Sequence, residues 1–259
     1  MPRLGFGTYK SPMGEVEHAV EFALRGGYRS VDTASLYGNE EGVGAGIRAS
    51  GVPRDELFVT TKVWNDEQGF DGTREALARS LERLGLGYLD LYLVHWPVQQ
   101  HLAGTWRAME SLLAEGRTRA IGVCNFLPHH LDALLAIAEV PPAVDQVEFH
   151  PWLQQPGLQA YLTEHDMTLE AWAPLMKGRI GEEPIIVDIA ARHGVSPAQV
   201  AVRWILQLGY VTIPKSVHDE RIQTNRDVFG FELTDDDMVA IAGADRGFRL
   251  GPDPDVYAW

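Results

Sequence analysis

Four side chains that could deliver a proton to a carbonyl lie at or near the ends of apolar, strand-like runs: Asp32, Tyr37, Lys62 and His95. A phenol with a pKa near ~10 is a weak acid at neutral pH, but a neighbouring ammonium stabilises its phenolate and lowers that pKa. A carboxylate would hold the ammonium in place, and an imidazole would orient a carbonyl or share the proton. The set predicts a proton donor for a carbonyl that receives a hydride.

The placement of these residues strengthens the prediction. Asp32, Lys62 and His95 each end a predicted strand, and Tyr37 follows Asp32 by a short loop. Each has an ordinary structural explanation when taken alone, as a solvated strand end, a turn or a buried histidine. Ionisable side chains at the carboxyl ends of successive strands, however, are typical of an active site on a (β/α)8 barrel. We therefore interpret the four as one catalytic set.

The elements that must position this set alternate along the whole chain, because short apolar runs alternate with amphipathic stretches. Eight strands are predicted, at 4–8, 28–32, 57–62, 89–95, 119–123, 143–147, 168–172 and 210–213. Ten helices are predicted, at 14–25, 39–50, 72–84, 103–115, 128–138, 156–165, 184–193, 197–208, 218–227 and 234–243. This order predicts a single-domain (β/α)8 TIM barrel over 1–259, ending in a non-helical tail at 249–259.

A hydride donor would need a phosphate site, and one segment offers it. No Gly-x-Gly-x-x-Gly follows a predicted strand, so a Rossmann-type site is not supported, and the glycines at 42–46 are better explained by close packing of a helix on the barrel. After the eighth strand, Lys215 and Arg221 supply cations and Ser216 a hydroxyl at a helix start. Loops there commonly bind phosphate in such barrels. The alternative is a solvated surface cluster.

Three further side chains are placed to bind a flat ring that carries an amide. Trp172 ends the seventh predicted strand and would either stack on a nicotinamide ring or belong to the core. Gln146 ends the sixth and Asn125 follows the fifth, and both amides could bind a carboxamide. The residues alone leave the binding and structural interpretations open.

Composition narrows the classes of function. The chain has 259 residues, 45% of them hydrophobic and 22% charged, which suits one large globular domain. Its formal net charge of −14 argues against broad binding to nucleic acid or anionic membranes. Cys124 is the only cysteine, which favours a reducing cytosol. We see neither a signal segment nor an apolar run of membrane-spanning length, and we expect a cytoplasmic protein.

In several stretches the chain resembles the aldo-keto reductase superfamily, and most closely the bacterial 2,5-diketo-D-gluconate reductase group. The similar stretches occur in the family's order and cover essentially the whole chain. They are Leu4-Gly5-Phe6-Gly7-Thr8, Asp32-Thr33-Ala34, Tyr37-Gly38-Asn39-Glu40, Thr61-Lys62-Val63-Trp64, Leu93-Val94-His95-Trp96-Pro97, Ile121-Gly122-Val123-Cys124-Asn125-Phe126, Gln146-Val147-Glu148-Phe149-His150-Pro151, Ala171-Trp172-Ala173-Pro174-Leu175 and Ile213-Pro214-Lys215-Ser216.

The resemblance implies NADPH-dependent reduction of aldehydes and ketones, with Tyr37 as general acid in a tetrad with Asp32, Lys62 and His95. It implies no metal, a small carbonyl substrate and a monomer. The implied cofactor contacts are Thr8, Tyr9, Asp32, Cys124, Asn125, Gln146, Trp172, Leu175, Lys215, Ser216, Val217, His218, Arg221 and Asn225. The implied substrate contacts are Tyr9, Trp64, His95 and Trp96.

The chain departs from the family pattern in three places. Cys124 stands where the family usually has serine, and a thiol is a weaker hydrogen-bond donor to a carboxamide; a small buried residue of little consequence is the alternative interpretation. The β-hairpin that usually precedes the first strand is not seen, and the loop from Pro97 to Ala103 looks shortened. We expect an open substrate mouth and an effect on stability more than on catalysis.

Two other functions compete with carbonyl reduction. One is a redox-sensing subunit of the same fold that binds NADPH with little turnover, against which the intact tetrad argues. The other is a metal-dependent hydrolase using His95 and Asp32, but a His-x-His pair or a cluster of ligands at several strand ends is missing. The substrate remains open among 2-ketoaldehydes, diketones, keto-sugars and xenobiotic aldehydes.

Overall fold

Eight parallel strands form a closed ring in chain order, as predicted. The structure is a computed structural model that describes residues 1–256. The ring closes through backbone hydrogen bonds of 2.9 Å from Gly5 N to Thr212 O and from Thr212 N to Arg3 O. The strands are β1 (Phe6–Gly7), β2 (Ser30–Asp32), β3 (Phe58–Val63), β4 (Leu91–Val94), β5 (Ile121–Cys124), β6 (Val144–Glu148), β7 (Thr168–Trp172) and β8 (Val211–Thr212). The (β/α)8 barrel is confirmed.

Helices separate the strands and cover the barrel, in the predicted order. Two of them follow β7, and a capping box formed by Thr234 and Asp237 opens the last one. The helices are α1 (Met13–Arg25), α2 (Glu40–Ser50), α3 (Phe70–Leu84), α4 (Leu102–Ala114), α5 (Pro128–Leu135), α6 (Pro156–Glu164), α7 (Pro184–His193), α8 (Pro197–Gln207), α9 (Asp219–Arg226) and α10 (Asp235–Ala242). Residues 249–256 are non-helical, as predicted, and 257–259 lie outside the described residues.

Most element boundaries differ from the prediction by one or two residues, and the differences have local causes. The α5 helix ends three residues early, because the amides of Ile137 and Ala138 both donate to Leu134 O and tighten the last turn. Gln146 lies inside β6 rather than at its end, since the ladder with β7 continues to Glu148 and Trp172. A register set by hydrogen bonds between distant segments is not visible in a local pattern.

The glycine-rich helix α2 packs closely, but on its neighbouring helices rather than on the barrel. A Cβ atom at Gly44 would lie 2.2 Å from Leu84 O at the end of α3, and one at Gly46 would lie 2.5 Å from Glu17 O in α1. The predicted helical role of these glycines is therefore confirmed, whereas the predicted packing partner is wrong.

The parallel arrangement brings all eight carboxyl ends to one face of the barrel. Asp32 ends β2, Lys62 is the penultimate residue of β3, and His95 directly follows β4. Tyr37 lies in a 3₁₀ helix, Ser35–Tyr37, between β2 and α2. No helix within residues 1–256 is both long and apolar enough to cross a membrane.

Candidate active site

A cavity of about 920 Å³ opens at the carboxyl ends of the strands. Asp32, Tyr37 and His95 line its floor, and Lys62 lies directly behind them, fully buried. Most of the other predicted site residues line the same cavity: Tyr9, Trp64, Trp96, Cys124, Asn125, Gln146, Trp172, Leu175, Lys215, Ser216, Val217, His218, Arg221 and Asn225. Distant parts of the sequence thus converge on one space.

Thr8 is the exception among the predicted cofactor contacts. Its side chain is fully buried, and its hydroxyl donates to Asp32 O at 2.9 Å. It does not line the cavity. Its contact is with the backbone of a tetrad residue, and the expected contact of Thr8 with the cofactor stays a prediction.

The ammonium of Lys62 uses each of its three protons within the site. Its Nζ donates to Asp32 Oδ1 at 2.7 Å, to Thr33 O at 2.8 Å and to Tyr37 Oη at 3.4 Å. Burial alone lowers the pKa of a lysine, but the charge of Asp32 and the phenol of Tyr37 outweigh it and leave the pKa of Lys62 raised. Lys62 therefore stays charged at neutral pH.

Tyr37 is a donor toward the cavity, because its oxygen already accepts from Lys62. Burial raises the pKa of Tyr37, and the opposing effect of the Lys62 charge does not cancel it. The expected lowering of this pKa is therefore wrong in its net sign, although Lys62 acts in the expected direction. The phenol keeps its proton at neutral pH, with a cation in position to stabilise the phenolate once that proton leaves.

His95 is held as a neutral imidazole. Burial and the nearby Lys62 charge place the pKa of His95 well below its usual value. The ring meets Trp64 edge-on, with centroids 5.1 Å apart, and Tyr37 edge-on at 5.8 Å. A neutral imidazole carries one N–H and can orient a carbonyl oxygen without donating a full charge.

A hydrogen-bonded group of amides lies beside the tetrad. Asn125 Nδ2 donates to His95 O at 3.0 Å and to Cys124 Sγ at 3.2 Å, and Trp172 Nε1 donates to Asn125 Oδ1 at 2.9 Å. The Cys124 thiol reaches Gln146 Oε1 at 3.7 Å, a long contact. Trp172, Asn125 and Gln146 therefore come together as predicted, already oriented by each other.

Gln146 also extends downward, into the barrel interior. Its Nε2 donates to Asp32 Oδ2 at 2.8 Å and to Glu170 Oε2 at 2.8 Å. Glu170 is fully buried and was not predicted as a site residue. An acidic residue within an apolar strand was the only signal in the sequence that could have drawn attention to it.

The predicted phosphate-binding residues lie at the far end of the cavity, where α9 begins. His218 is the N-cap residue, and its amide donates to Ser216 Oγ at 3.1 Å. Burial lowers the pKa of Lys215, whose Nζ lies 3.4 Å from Lys10 O. Two acidic residues occupy the first turn of α9, and one of them, Asp219, pairs with His18 at 2.9 Å.

The C-terminal segment covers one wall of the cavity, which the sequence did not predict. Glu148 Oε1 accepts from Leu250 N at 2.6 Å and from Gly251 N at 3.1 Å, and Lys177 Nζ donates to Leu250 O at 2.7 Å. Glu148 is fully buried and also bonds to His150. The contacts of Leu250 and Gly251 join residues that are 73 to 103 positions apart, so no local pattern could have revealed them.

The chain is similar to known proteins over its full length. The profile of the aldo/keto reductase family matches residues 3–246. Glyoxal reductase of Bacillus subtilis is 51% identical over 98% of this chain and 93% of that protein, and the putative methylglyoxal reductase DkgA of Salmonella typhi is 48% identical over 98% and 94%.

Solved structures agree closely with this fold. The aldo-keto reductase MGS-M4 from a Medee basin deep-sea metagenome has a TM-score of 0.98 and 44% identity, over 100% of this chain and 97% of that one. A variant of Gox0644 in complex with NADPH has a TM-score of 0.95 and 45% identity, over 100% and 95%. The likeness extends over the whole chain.

Proposed function

The chain belongs to the aldo/keto reductase family and is an NADPH-dependent carbonyl reductase, and we propose that Tyr37 is the residue that protonates the carbonyl oxygen of its substrate. The observation that carries this assignment is the set of three hydrogen bonds that Lys62 Nζ donates. One of them is donated to Tyr37 Oη, so the phenolic proton is directed away from Lys62 and toward the cavity. General acid catalysis of this kind typically contributes ~10²–10⁴-fold.

The other three tetrad residues support that transfer. His95, neutral and at the cavity floor, orients the carbonyl oxygen near Tyr37. Lys62 stabilises the phenolate that remains after the proton moves, and Asp32 holds the ammonium in place. NADPH supplies the hydride when it is bound. The proton released by Tyr37 Oη forms the hydroxyl of the product.

The cavity fits NADPH at both of its ends. The indole of Trp172 and the amides of Asn125 and Gln146 suit a nicotinamide ring with its carboxamide. At the other end, Lys215 and Arg221 are the cations for the 2′-phosphate, at a helix start that favours anions. We assign further cofactor contacts to Tyr9, Asp32, Leu175, Ser216, Val217, His218 and Asn225, with Cys124 replacing a hydroxyl donor.

We propose small 2-ketoaldehydes of the glyoxal and methylglyoxal type as the substrates. Two similar proteins carry these substrates in their names. The predicted substrate residues Tyr9, Trp64 and Trp96 line the cavity beside His95 and offer an aromatic, largely apolar wall. Diketones and keto-sugars remain the competing classes for the same site.

We further propose a single domain over 1–259 that works as a cytoplasmic monomer. One barrel accounts for every helix and strand within the described residues. The lone Cys124 is free and buried, which suits a reducing compartment. A formal net charge of −14 keeps copies apart.

Steady-state reduction of methylglyoxal and of phenylglyoxal with NADPH tests the function. Wild type should turn over both, and Tyr37→Phe should lose ~10²-fold or more in kcat while keeping NADPH affinity. Tyr88→Phe is the matched control, because Tyr88 lies outside the cavity against Arg54. A Tyr37→Phe enzyme with half the wild-type kcat would remove Tyr37 as the proton donor.

A further inference from the structure

The side-chain amide of Gln146 lies between two buried carboxyl groups. Its Nε2 is 2.8 Å from Asp32 Oδ2 and 2.8 Å from Glu170 Oε2. An amide nitrogen carries two protons and accepts nothing, so both protons of Gln146 are used here. The only acceptor left on this side chain is Oε1, whose contact with the Cys124 thiol is long, at 3.7 Å.

The two carboxyl groups decide which way the amide faces. Asp32, in its ion pair with Lys62, is a carboxylate and can only accept, so the NH₂ end must face it. Glu170 takes the second N–H from the neighbouring strand, where it is the register partner of Gln146. Without Glu170 the second proton would be buried without an acceptor, which is costly and favours rotation of the amide.

We propose that Glu170 is a positioning residue, which holds the Gln146 amide with Oε1 toward the carboxamide N–H of the bound cofactor. The proposal rests on the assignment of Gln146 as a cofactor ligand in the proposed function. Glu170 itself touches neither cofactor nor substrate, since it lies beneath Gln146 and does not line the cavity. Its positioning effect passes through the Gln146 side chain.

The surroundings of Glu170 explain how an acidic residue is tolerated in the barrel interior. Burial raises the pKa of Glu170 to about 8, and the Asp32 charge adds to this, while Gln146 and Lys62 oppose it. The charged and titratable groups that face it are Asp32 from β2, Lys62 from β3 and the Cys124 thiol from β5. Glu170 is therefore mostly protonated at neutral pH and adds little net charge.

Oxidation of the cofactor gives the proposal an electrostatic consequence. The nicotinamide ring is neutral in NADPH and positive in NADP⁺. When Glu170 loses its proton, the added negative charge favours NADP⁺ over NADPH. The ratio of the two affinities should thus shift toward NADP⁺ as the pH rises through about 8. Titration of the 2′-phosphate, which both cofactors carry, affects both alike and cancels in the ratio.

The first test is a double-mutant cycle on the dissociation constant of NADPH. This constant is measured by quenching of tryptophan fluorescence in the absence of substrate. Glu170→Leu in wild type should weaken NADPH by about tenfold, the size of one hydrogen bond. In a Gln146→Leu background the same change should have almost no effect. Asp145→Asn is the control. The buried Asp145 carboxyl accepts from the backbone amide of Phe126 and makes no hydrogen bond with the Gln146 side chain, so this variant should bind NADPH with unchanged affinity.

An equal loss from Glu170→Leu in both backgrounds would overturn the proposal, since Glu170 would then act without Gln146. If Gln146→Leu alone leaves NADPH affinity unchanged, the Gln146 contact and the role of Glu170 both fail. The assignment of Tyr37 would be unaffected, because it depends on the kcat of Tyr37→Phe.

The second test uses Glu170→Gln, which keeps the size and an acceptor oxygen but cannot ionise. Dissociation constants of NADPH and NADP⁺ should be measured between pH 6.5 and 9.5. The wild-type ratio should shift toward NADP⁺ with a midpoint near the pKa of about 8, and Glu170→Gln should show a flat ratio. A shift of the same size in Glu170→Gln would show that another group titrates, and the proposal would be withdrawn.

Discussion

Lys62 Nζ lies 3.4 Å from Tyr37 Oη and donates one hydrogen bond to that oxygen. Its other two N–H groups donate to Asp32 Oδ1 and Thr33 O. This contact directs the phenolic proton of Tyr37 away from Lys62, and it places the Lys62 ammonium where it stabilises the phenolate. Burial opposes the effect of this contact, since it leaves the pKa of Tyr37 raised despite the cation beside it.

Replacing Lys62 should therefore change a pH profile as well as a rate. In Lys62→Met the pKa of Tyr37 should rise further, because the only cause that lowers it strongly is gone. Reduction requires the protonated phenol, so the alkaline limb of kcat should move to higher pH while the plateau falls ~10²-fold or more. Asp32→Asn should have the same effect in milder form. An unchanged profile in Lys62→Met would refute this account.

Arg221 should determine the preference for NADPH over NADH. The 2′-phosphate needs local cations in a protein of net charge −14, and charge-assisted hydrogen bonds contribute roughly 1.5–3 kcal/mol each. NADPH should be preferred by at least ~10²-fold, and added salt should weaken this preference. Arg221→Ala should weaken NADPH much more than NADH, with Arg226→Ala on the same helix as the control outside the cavity. If Arg221→Ala lowers the affinity for NADPH and NADH equally, Arg221 does not bind the 2′-phosphate.

Cys124→Ser should tighten NADPH binding modestly. As a donor the thiol makes only a long contact, with Gln146 Oε1, and it is a weak donor, so a hydroxyl at this position should gain up to ~1 kcal/mol. Titration of tryptophan fluorescence with NADPH measures this directly. Equal or weaker binding would favour the interpretation that Cys124 only fills space in the buried wall.

Gly251 should be necessary for the fit of the C-terminal segment against Trp172. A Cβ atom there would lie 2.5 Å from the Trp172 ring and 3.1 Å from Glu148 Oε2. Gly251→Ala should displace the segment or tilt the indole, raising the dissociation constant of NADPH severalfold with little change in the tetrad. Gly230→Ala is the control, since a Cβ there meets nothing within 4 Å. The hypothesis fails if both variants bind NADPH as wild type does.

The sequence alone determined the architecture and most of the site. Alternation of apolar strands and amphipathic helices is a local pattern, so all eight strands and ten helices could be located to within a few residues. Asp32, Lys62 and His95 could be grouped because they fall at or beside strand ends, and parallel strands bring those ends together. The cations of the segment 213–221 could be placed at the same face for the same reason, and they line the cavity there.

Only the tertiary structure decided how these side chains act on each other. Gln146 meets Asp32 across 114 positions of chain, and Glu148 meets Leu250 across 102. Nothing local in Glu170 shows that it supports the amide of Gln146, and nothing near Tyr37 in the sequence shows that burial outweighs Lys62 in setting its pKa. Hydrogen-bond direction and desolvation depend on which atoms surround a group in space, and closure of the barrel alone brings those atoms together.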